Sequence, residues 1–286
     1  MFDLIPYGLS PDEFIKMALA EDIGDGDQTS LSTIDEGKKA IAKIKAKENG
    51  IIAGLPVAVN ILQCVDKALK VKIYSTDGAI VSNGDIVMEI EGNVRSLLQA
   101  ERLLLNCMQR MSGIATLTRK FVDAINGTGA EILDTRKTTP NFRHFEKLAV
   151  RAGGGINHRF GLYDMILIKD NHVDASGGIT NALLKAQDYL LKTGKKLFIE
   201  IETRNIAEVE EVMKSNIAKR IMLDNFETEE LLKAVKIINK KFETEASGGI
   251  TLSNVYSYAA TGVDYISVGA LTHSYKSLDI SMKIIK

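Results

Sequence analysis

From residue 130 onward the chain repeats one pattern: a short apolar run, a charged or glycine-rich step, then a helical stretch. The apolar runs fall at 131–133, 165–168, 197–202, 220–223, 242–245 and 265–268, and the last three steps between them are about 22 residues each. Helical patterns at 141–151, 178–191, 207–214, 228–240 and 252–260 lie between the runs. A strand that returns through a helix pairs in parallel with its neighbour, because a parallel pair needs a crossover. That confines this part of the chain to a β/α barrel or an open parallel sheet. The short regular period favours a barrel, complete or not.

Before residue 115 the pattern is mixed. Residues 10–20 read as a helix capped by Ser10 with Pro11 in its first turn. The glycine- and aspartate-rich 22–30 reads as a loop. Short strands are expected at 41–47, 71–74, 79–81 and 86–90, the last two joined by an SNGD hairpin signal. A helix is expected at 56–65. A much longer one is expected over 95–125, with Arg95, Gln99, Arg102, Asn106 and Arg110 on one stripe and Gly113 as a break or bend.

Charge is distributed unevenly. The whole chain balances 36 basic against 37 acidic residues. The stretch 134–172, however, gathers Arg136, Lys137, Arg143, Lys147, Arg151, Arg159 and Lys169, with His144, His158 and His172, against Asp134, Glu146, Asp164 and Asp170. A local cationic excess in a neutral chain points to a small, highly charged anion. Nucleic acid would more often leave the entire domain basic, so no nucleic-acid partner is expected. No apolar run approaches the ~20 residues of a membrane helix, so no membrane partner is expected either. The first residues lack the basic and apolar regions of a secretory signal. Two cysteines, Cys64 and Cys107, fit no metal spacing and read as small buried hydrophobes in a reducing cytosol.

The polar residues follow the strands. After 131–133 comes Asp134-Thr135-Arg136-Lys137; after 165–168 comes Lys169-Asp170-Asn171-His172. The third run carries Glu200 and Glu202, the fourth leads to Asp224-Asn225, the fifth to Ser247-Gly248-Gly249 and the sixth to Gly269. In β/α barrels the C-terminal strand ends carry the chemistry. Arg136, Lys137, Arg159 and Lys169 are suited to clamping carboxylates or phosphates, arginine by a bidentate fork and lysine as a point charge. Glu202 and Asp224 need a cation or hydroxyls to face, which Mg²⁺ on a polyphosphate or a ribose would supply. The glycines allow backbone N–H groups to approach a phosphate. Glu200 is expected on the opposite face from Glu202. Each feature alone reads more simply as surface charge, a helix cap or an ordinary turn. Their joint placement at successive strand ends is what scattered surface charge would not produce.

The segments EDIGDGDQTS (21–30), ERLLLNCMQRMSGIAT (101–116), DTRKTTPNFRHFEKLAVRAGGGINHRFGLYDMILIKDNH (134–172), IEIET (199–203), LDNF (223–226), EASGGIT (245–251) and GVDYISVGALTHS (262–274) together resemble the quinolinate phosphoribosyltransferases, in that family's order and over nearly the whole chain. The resemblance implies an N-terminal α/β sandwich domain (1–112), an open seven-stranded α/β barrel of the type II phosphoribosyltransferases (113–273), and a last segment (274–286) returning onto the first domain. It implies transfer of phosphoribosyl from phosphoribosyl pyrophosphate to quinolinate, yielding nicotinate mononucleotide, pyrophosphate and CO₂ for NAD synthesis. Mg²⁺ would accompany the pyrophosphate. The unit would be a cytoplasmic homodimer, or a higher homo-oligomer, in which Arg102 enters the neighbour's pocket. Arg136 and Arg159 would hold the carboxylates, with His158 and Lys169 nearby. Lys137 and Lys169 would contact phosphates, Glu202 and Asp224 ribose hydroxyls or Mg²⁺. Ser247, Gly248, Gly249 and Gly269 would cradle the 5′-phosphate, and Thr135 and Ala270 complete the binding set. Lys137, Lys169, Glu202 and Asp224 would be the catalytic groups.

Overall fold

The computed structural model describes residues 7–285. In chain order the elements are α1 (Pro11–Ile23), α2 (Gln28–Thr33), β1 (Lys39–Ala46), β2 (Gly50–Ile51), α3 (Leu55–Val65), β3 (Lys70–Ile73), β4 (Ile80–Val81), β5 (Ile86–Asn93) and α4 (Val94–Ala124). They continue with β6 (Glu131–Leu133), α5 (Arg143–Ala152), β7 (Ile166–Ile168), α6 (Asp170–Ser176), α7 (Ile179–Thr193), β8 (Ile199–Thr203), α8 (Ile206–Ser215), β9 (Arg220–Asp224), α9 (Thr228–Ile238), β10 (Glu243–Ser247), α10 (Val255–Ala259), β11 (Tyr265–Ser267), α11 (Ala270–His273) and β12 (Ile280–Ile285). Two compact units result. One holds the described chain up to Arg119, Thr138–Gly154 and the chain from Thr272; the other holds Lys120–Lys137 and Gly155–Leu271.

The first unit is built on an antiparallel sheet in the order β12-β1-β5-β3. Alternation sets its faces: Ala42, Ile44 and Ala46 of β1 are buried, while Lys43 turns out to meet Glu89 across the strand pair at 3.5 Å. The last strand returns to the first, from Ile41 opposite Ile285 to Ala46 opposite Ile280. α1 starts as expected: Ser10 and Glu13 form a capping box, with Pro11 at the helix start. The expected loop at 22–30 is shorter than its composition suggested, since α1 runs on to Ile23 and Asp27 caps α2. The SNGD hairpin does not form. β4 pairs with β2, and β5 lies between β1 and β3. α4 runs unbroken through Gly113, where a β-carbon would collide with the Lys276 carbonyl oxygen and lie 2.9 Å from Ser277 Cα. That glycine serves a close backbone approach, not a bend. α5 belongs to this unit although it follows β6 in the chain: the Phe145 ring and that of Phe142, just before the helix, pack tilted and edge-on against Phe14 of α1, with centroids 5.1 and 5.4 Å away. Cys107 is buried in α4, but Cys64 is exposed on α3, against the expectation for it.

The second unit carries a parallel sheet in the order β6-β11-β10-β9-β8-β7. All six expected strands are present within two residues of their expected starts. The seventh position is a single bridge: Ile156 lies beside Leu133, its N–H donating to Ile132 O at 2.8 Å and its carbonyl accepting from Asp134 N at 3.1 Å. Glu200 and Glu202 are both buried and share one face of β8, overturning the expectation that they face apart. Residues two apart in a strand point the same way. α6 was not among the expected helices; His172 Nδ1 accepts the Lys169 N–H at 3.0 Å and caps it. Among the described residues no helix is long and apolar enough to cross a membrane.

Candidate active site

Of the expected site residues, Thr135, Arg136, Lys137, His158, Arg159, Lys169, Glu202, Asp224, Ser247, Gly248, Gly249, Gly269 and Ala270 all fall in the second unit, at or just beyond the C-terminal ends of its strands or in the segment after Ile156. Arg102 lies on the exposed side of α4 in the first unit. Arg143, Lys147 and Arg151 of the cationic stretch sit on α5, also in the first unit.

The segment after β6 is tied down by Asp134, which is fully buried. One carboxylate oxygen accepts the His158 N–H at 2.9 Å and the other accepts Asn157 Nδ2 at 2.6 Å. The Thr135 hydroxyl accepts the Lys137 N–H at 3.0 Å, shaping the turn that carries Arg136. Two arginines, one from each segment, are thereby brought together. The Arg159 guanidinium is pushed below its ordinary pKa by burial and by the neighbouring Arg136 charge, with Glu200 and Asp164 opposing. Arg159 also forms the cationic wall of a cavity of about 300 Å³, otherwise lined by Leu162, Met165, Ile168, His172 and Ala182 among others.

The acids lie on neighbouring strands. Glu202 near the end of β8 accepts from Lys169 Nζ at 3.0 Å. Asp224 ends β9, and its carboxylate accepts from Asn225 Nδ2 at 2.5 Å. Asn225 has a left-handed backbone (φ 55°) and donates its N–H to Ser247 O at 2.8 Å, joining the β9 and β10 ends. Gly248 (φ 96°) is pressed against it: a β-carbon there would collide with the Asn225 side chain and lie 2.9 Å from its backbone nitrogen. Gly249 (φ 59°) differs, since a β-carbon there would meet nothing within 4 Å.

Beneath this rim is a buried ionic network. Glu200 and Glu245 are fully buried on β8 and β10, with Arg220 of the intervening β9 reaching both: Nη1 lies 3.1 Å from Glu245 Oε2 and 3.8 Å from Glu200 Oε2. His158 Nε2 stands 3.2 Å from Glu200 Oε2 and 3.4 Å from Glu245 Oε2. Neither oxygen lies in line as a single directed hydrogen bond, so the contact is electrostatic and shared. Burial and the adjacent Glu245 push Glu200 up to about 7. Burial would also raise Glu245, but His158, Arg220 and Ser267 together outweigh it and hold it low.

Two influences oppose each other at His158. Burial lowers its pKa, and the two carboxylates outweigh burial, lifting it to about 9. Yet the Arg159 N–H points at Nδ1 from 2.7 Å, which requires a lone pair there. The 2.7 Å contact assigns the neutral tautomer, hydrogen on Nε2 and none on Nδ1, against the direction in which the carboxylates push. Turning the ring over would set carbons against both sets of partners. Sequence reasoning missed Asp134, Asn157, Arg220, Asn225 and Glu245 as parts of the site. The available signal was charge inside strand patterns, at Glu200, Arg220, Glu243 and Glu245.

Comparison with known proteins agrees with this architecture. The model of the quinolinate phosphoribosyl transferase N-terminal domain matches residues 27–112, and that of the C-terminal domain matches 114–283. The chain is 47% identical to quinolinate phosphoribosyltransferase [decarboxylating] 2b, mitochondrial, of Nicotiana tabacum, over 95% of this chain and 81% of that protein. It is 44% identical to the probable nicotinate-nucleotide pyrophosphorylase [carboxylating] of Bacillus subtilis, over 92% of this chain and 90% of that one. The solved nicotinate-nucleotide pyrophosphorylase of Francisella tularensis superposes with a TM-score of 0.91 at 38% identity, covering 97% of this chain and 98% of that one.

Proposed function

The chain belongs to the quinolinate phosphoribosyltransferase family, and from that membership we propose how its own residues divide the reaction. The enzyme transfers phosphoribosyl from phosphoribosyl pyrophosphate to quinolinate with decarboxylation, giving nicotinate mononucleotide, pyrophosphate and CO₂ in NAD biosynthesis. Arg136 and Arg159 hold the quinolinate carboxylates. The observation carrying this assignment is their closeness: the Arg136 charge, after burial, lowers the pKa of Arg159, and two neighbouring guanidiniums make a site suited to a dianion. A monocarboxylate such as nicotinate would leave one of them uncompensated.

Lys137 and Lys169 meet the phosphates of phosphoribosyl pyrophosphate. Ser247, Gly248, Gly249, Gly269 and Ala270 receive the 5′-phosphate on backbone N–H groups, and the open space beside Gly249 leaves room for it. Thr135 keeps its turn in the shape that presents Arg136 and Lys137. Glu202 and Asp224 lie where negative charge stabilises the oxocarbenium-like C1 of the sugar as pyrophosphate leaves.

The same two carboxylates fit Mg²⁺. Both offer hard oxygen donors, and Glu202 Oε1 and Asp224 Oδ1 lie outside the contacts to Lys169 and Asn225. Mg²⁺ bound there would neutralise charge on the leaving pyrophosphate. The pyridine nitrogen needs no general base to attack C1. Loss of CO₂ then leaves an electron pair beside a cationic ring nitrogen, which stabilises it. The protein's part is orientation and fixed charge. We extend the reading to a cytoplasmic homodimer, or a higher homo-oligomer, whose sites take Arg102 from the neighbouring subunit. Arg102 is exposed, as that role requires, and both cysteines are free thiols, as in a reducing compartment.

Steady-state turnover of quinolinate against nicotinate, with CO₂ and mononucleotide detection, tests the substrate assignment; faster turnover of nicotinate overturns it. Arg136→Ala and Arg159→Ala should each raise KM for quinolinate at least tenfold more than KM for phosphoribosyl pyrophosphate. Equal losses for both ligands would refute these roles.

A further inference from the structure

The buried carboxylates Glu200 and Glu245 are used by nothing in the reaction above, and they lie one residue-contact away from an arginine that is. We propose that Glu200 and Glu245, braced by Arg220, are positioning residues that aim Arg159 at quinolinate through the His158 ring. The proposal rests on the reading that Arg159 holds a quinolinate carboxylate.

The chain of contacts is continuous. Arg220 is locked at the strand starts: its Nε and Nη2 donate to Glu243 at 3.0 and 2.9 Å, and its guanidinium lies 4.1 Å over the Tyr265 ring and 5.3 Å from the Phe198 ring. Its remaining Nη1 fixes Glu245 at 3.1 Å and lies 3.8 Å from Glu200. Those two carboxylates then present oxygens 3.2 and 3.4 Å from His158 Nε2. Facing two acceptors, Nε2 carries the ring hydrogen, and Nδ1 is left with its lone pair. That lone pair accepts the Arg159 N–H at 2.7 Å. On the other side, Asp134 holds the His158 N–H at 2.9 Å. The two successive peptide units on either side of the His158 Cα are thus both held, and the direction in which the Arg159 side chain leaves the backbone follows from them. Both ring nitrogens face protein groups, and His158 is only 8% exposed, so the ring is held in one orientation.

A metal site is the competing reading of the same atoms, since His158, Glu200 and Glu245 bring ligand atoms within 4.8 Å of one another. The Arg220 guanidinium already occupies the cation's place at the shared oxygens, and a dication would be set beside it. A relay fits the charges present; a metal centre does not.

The experiment has two arms. In the wild-type protein, ¹⁵N chemical shifts of the His158 ring should show hydrogen on Nε2 and none on Nδ1; hydrogen on Nδ1 overturns the proposal, whatever any variant does. In the second arm, Glu245→Gln and Glu200→Gln should each raise KM for quinolinate roughly tenfold, about 1.4 kcal/mol, with KM for phosphoribosyl pyrophosphate within about twofold. In an Arg159→Ala background the same substitutions should cost nothing further for quinolinate. Additive losses would mean that the network, or His158, acts on the substrate by another path, and the proposal falls. If Arg159→Ala alone leaves quinolinate KM unchanged, the assignment of Arg159 has failed instead.

Discussion

Lys169 Nζ stands 3.0 Å from Glu202 Oε2, so two groups expected to act on different parts of the substrate are paired with each other. The Glu202 side chain is buried while about half of the Lys169 side chain is exposed. The lysine therefore has freedom to leave the pair when a pyrophosphate arrives. An ion pair with one exposed partner contributes about 0–1 kcal/mol to stability. Lys169→Gln should accordingly shift Tm by no more than a few degrees. The same substitution should lower kcat/KM for phosphoribosyl pyrophosphate by at least about 100-fold, as expected for loss of a charge on a developing anion. Thermal melts and initial rates on the same preparation check both. A large fall in Tm with activity intact would reverse the roles.

Gly248 and Gly249 should respond differently to the same change. Alanine at Gly248 drives a methyl group into Asn225 and toward its backbone nitrogen, at a left-handed φ of 96°. The turn must move, at a strain cost of about 1–3 kcal/mol. Alanine at Gly249 meets open space, and only the left-handed φ of 59° costs it, about 1–2 kcal/mol. Chemical denaturation should rank Gly248→Ala below Gly249→Ala. Both should raise KM for phosphoribosyl pyrophosphate, Gly249→Ala because the methyl enters the space assigned to the phosphate. An unchanged KM in Gly249→Ala would remove that glycine from the phosphate site.

The barrel was legible in the sequence because its strands are short apolar runs at a regular period, each ended by polar residues. The rim was legible for the same reason: Arg136, Lys169, Asp224 and Ser247 stand at those ends. What could not be read were contacts set by tertiary register. β4 chose β2 over β5 despite the SNGD signal, because hairpin chemistry is local and β5 is claimed on both sides by β1 and β3. Asn225 follows Asp224 in the chain, and nothing local marks its backbone bond to Ser247. The pairing of Glu200 with Glu245 and His158 crosses three separate chain segments, and no periodicity encodes it. The common face of Glu200 and Glu202 was readable from strand geometry and was misread.

Far from the rim, Asp264 offers a test of what stabilises the start of the barrel. It precedes β11, accepts the Thr244 N–H at 2.9 Å and hydroxyl at 2.7 Å, and pairs with Lys240 at 2.7 Å. Burial alone would raise its pKa; Lys240 and Thr244 outweigh burial and hold it below the ordinary value. A depressed carboxylate pKa stabilises the fold above the unfolded value of roughly 3.9, and that stabilisation is lost as pH falls through the folded value. Asp264→Asn should cost about 1–2 kcal/mol at pH 7, with activity unchanged. The gap from wild type should stay constant down to about pH 5 and shrink below about pH 4. Urea titrations across pH 3–7 measure it. A gap that widened on acidification would contradict the sign.

Arg102 tests the oligomeric reading. It is exposed on α4, and the proposed homodimer gives it work in a neighbouring pocket. Arg102→Ala and Arg136→Ala should each be nearly inactive alone, since each lacks one cation of every site. In a mixed dimer the two lesions fall together in one site, and the other site has both arginines. Unfolding and refolding the two variants together should therefore recover up to about a quarter of wild-type activity, because roughly half of randomly formed dimers are mixed and each has one intact site. Heterodimers shown by differential tagging to have formed, yet without recovered turnover, would place Arg102 in its own subunit's site or outside any site.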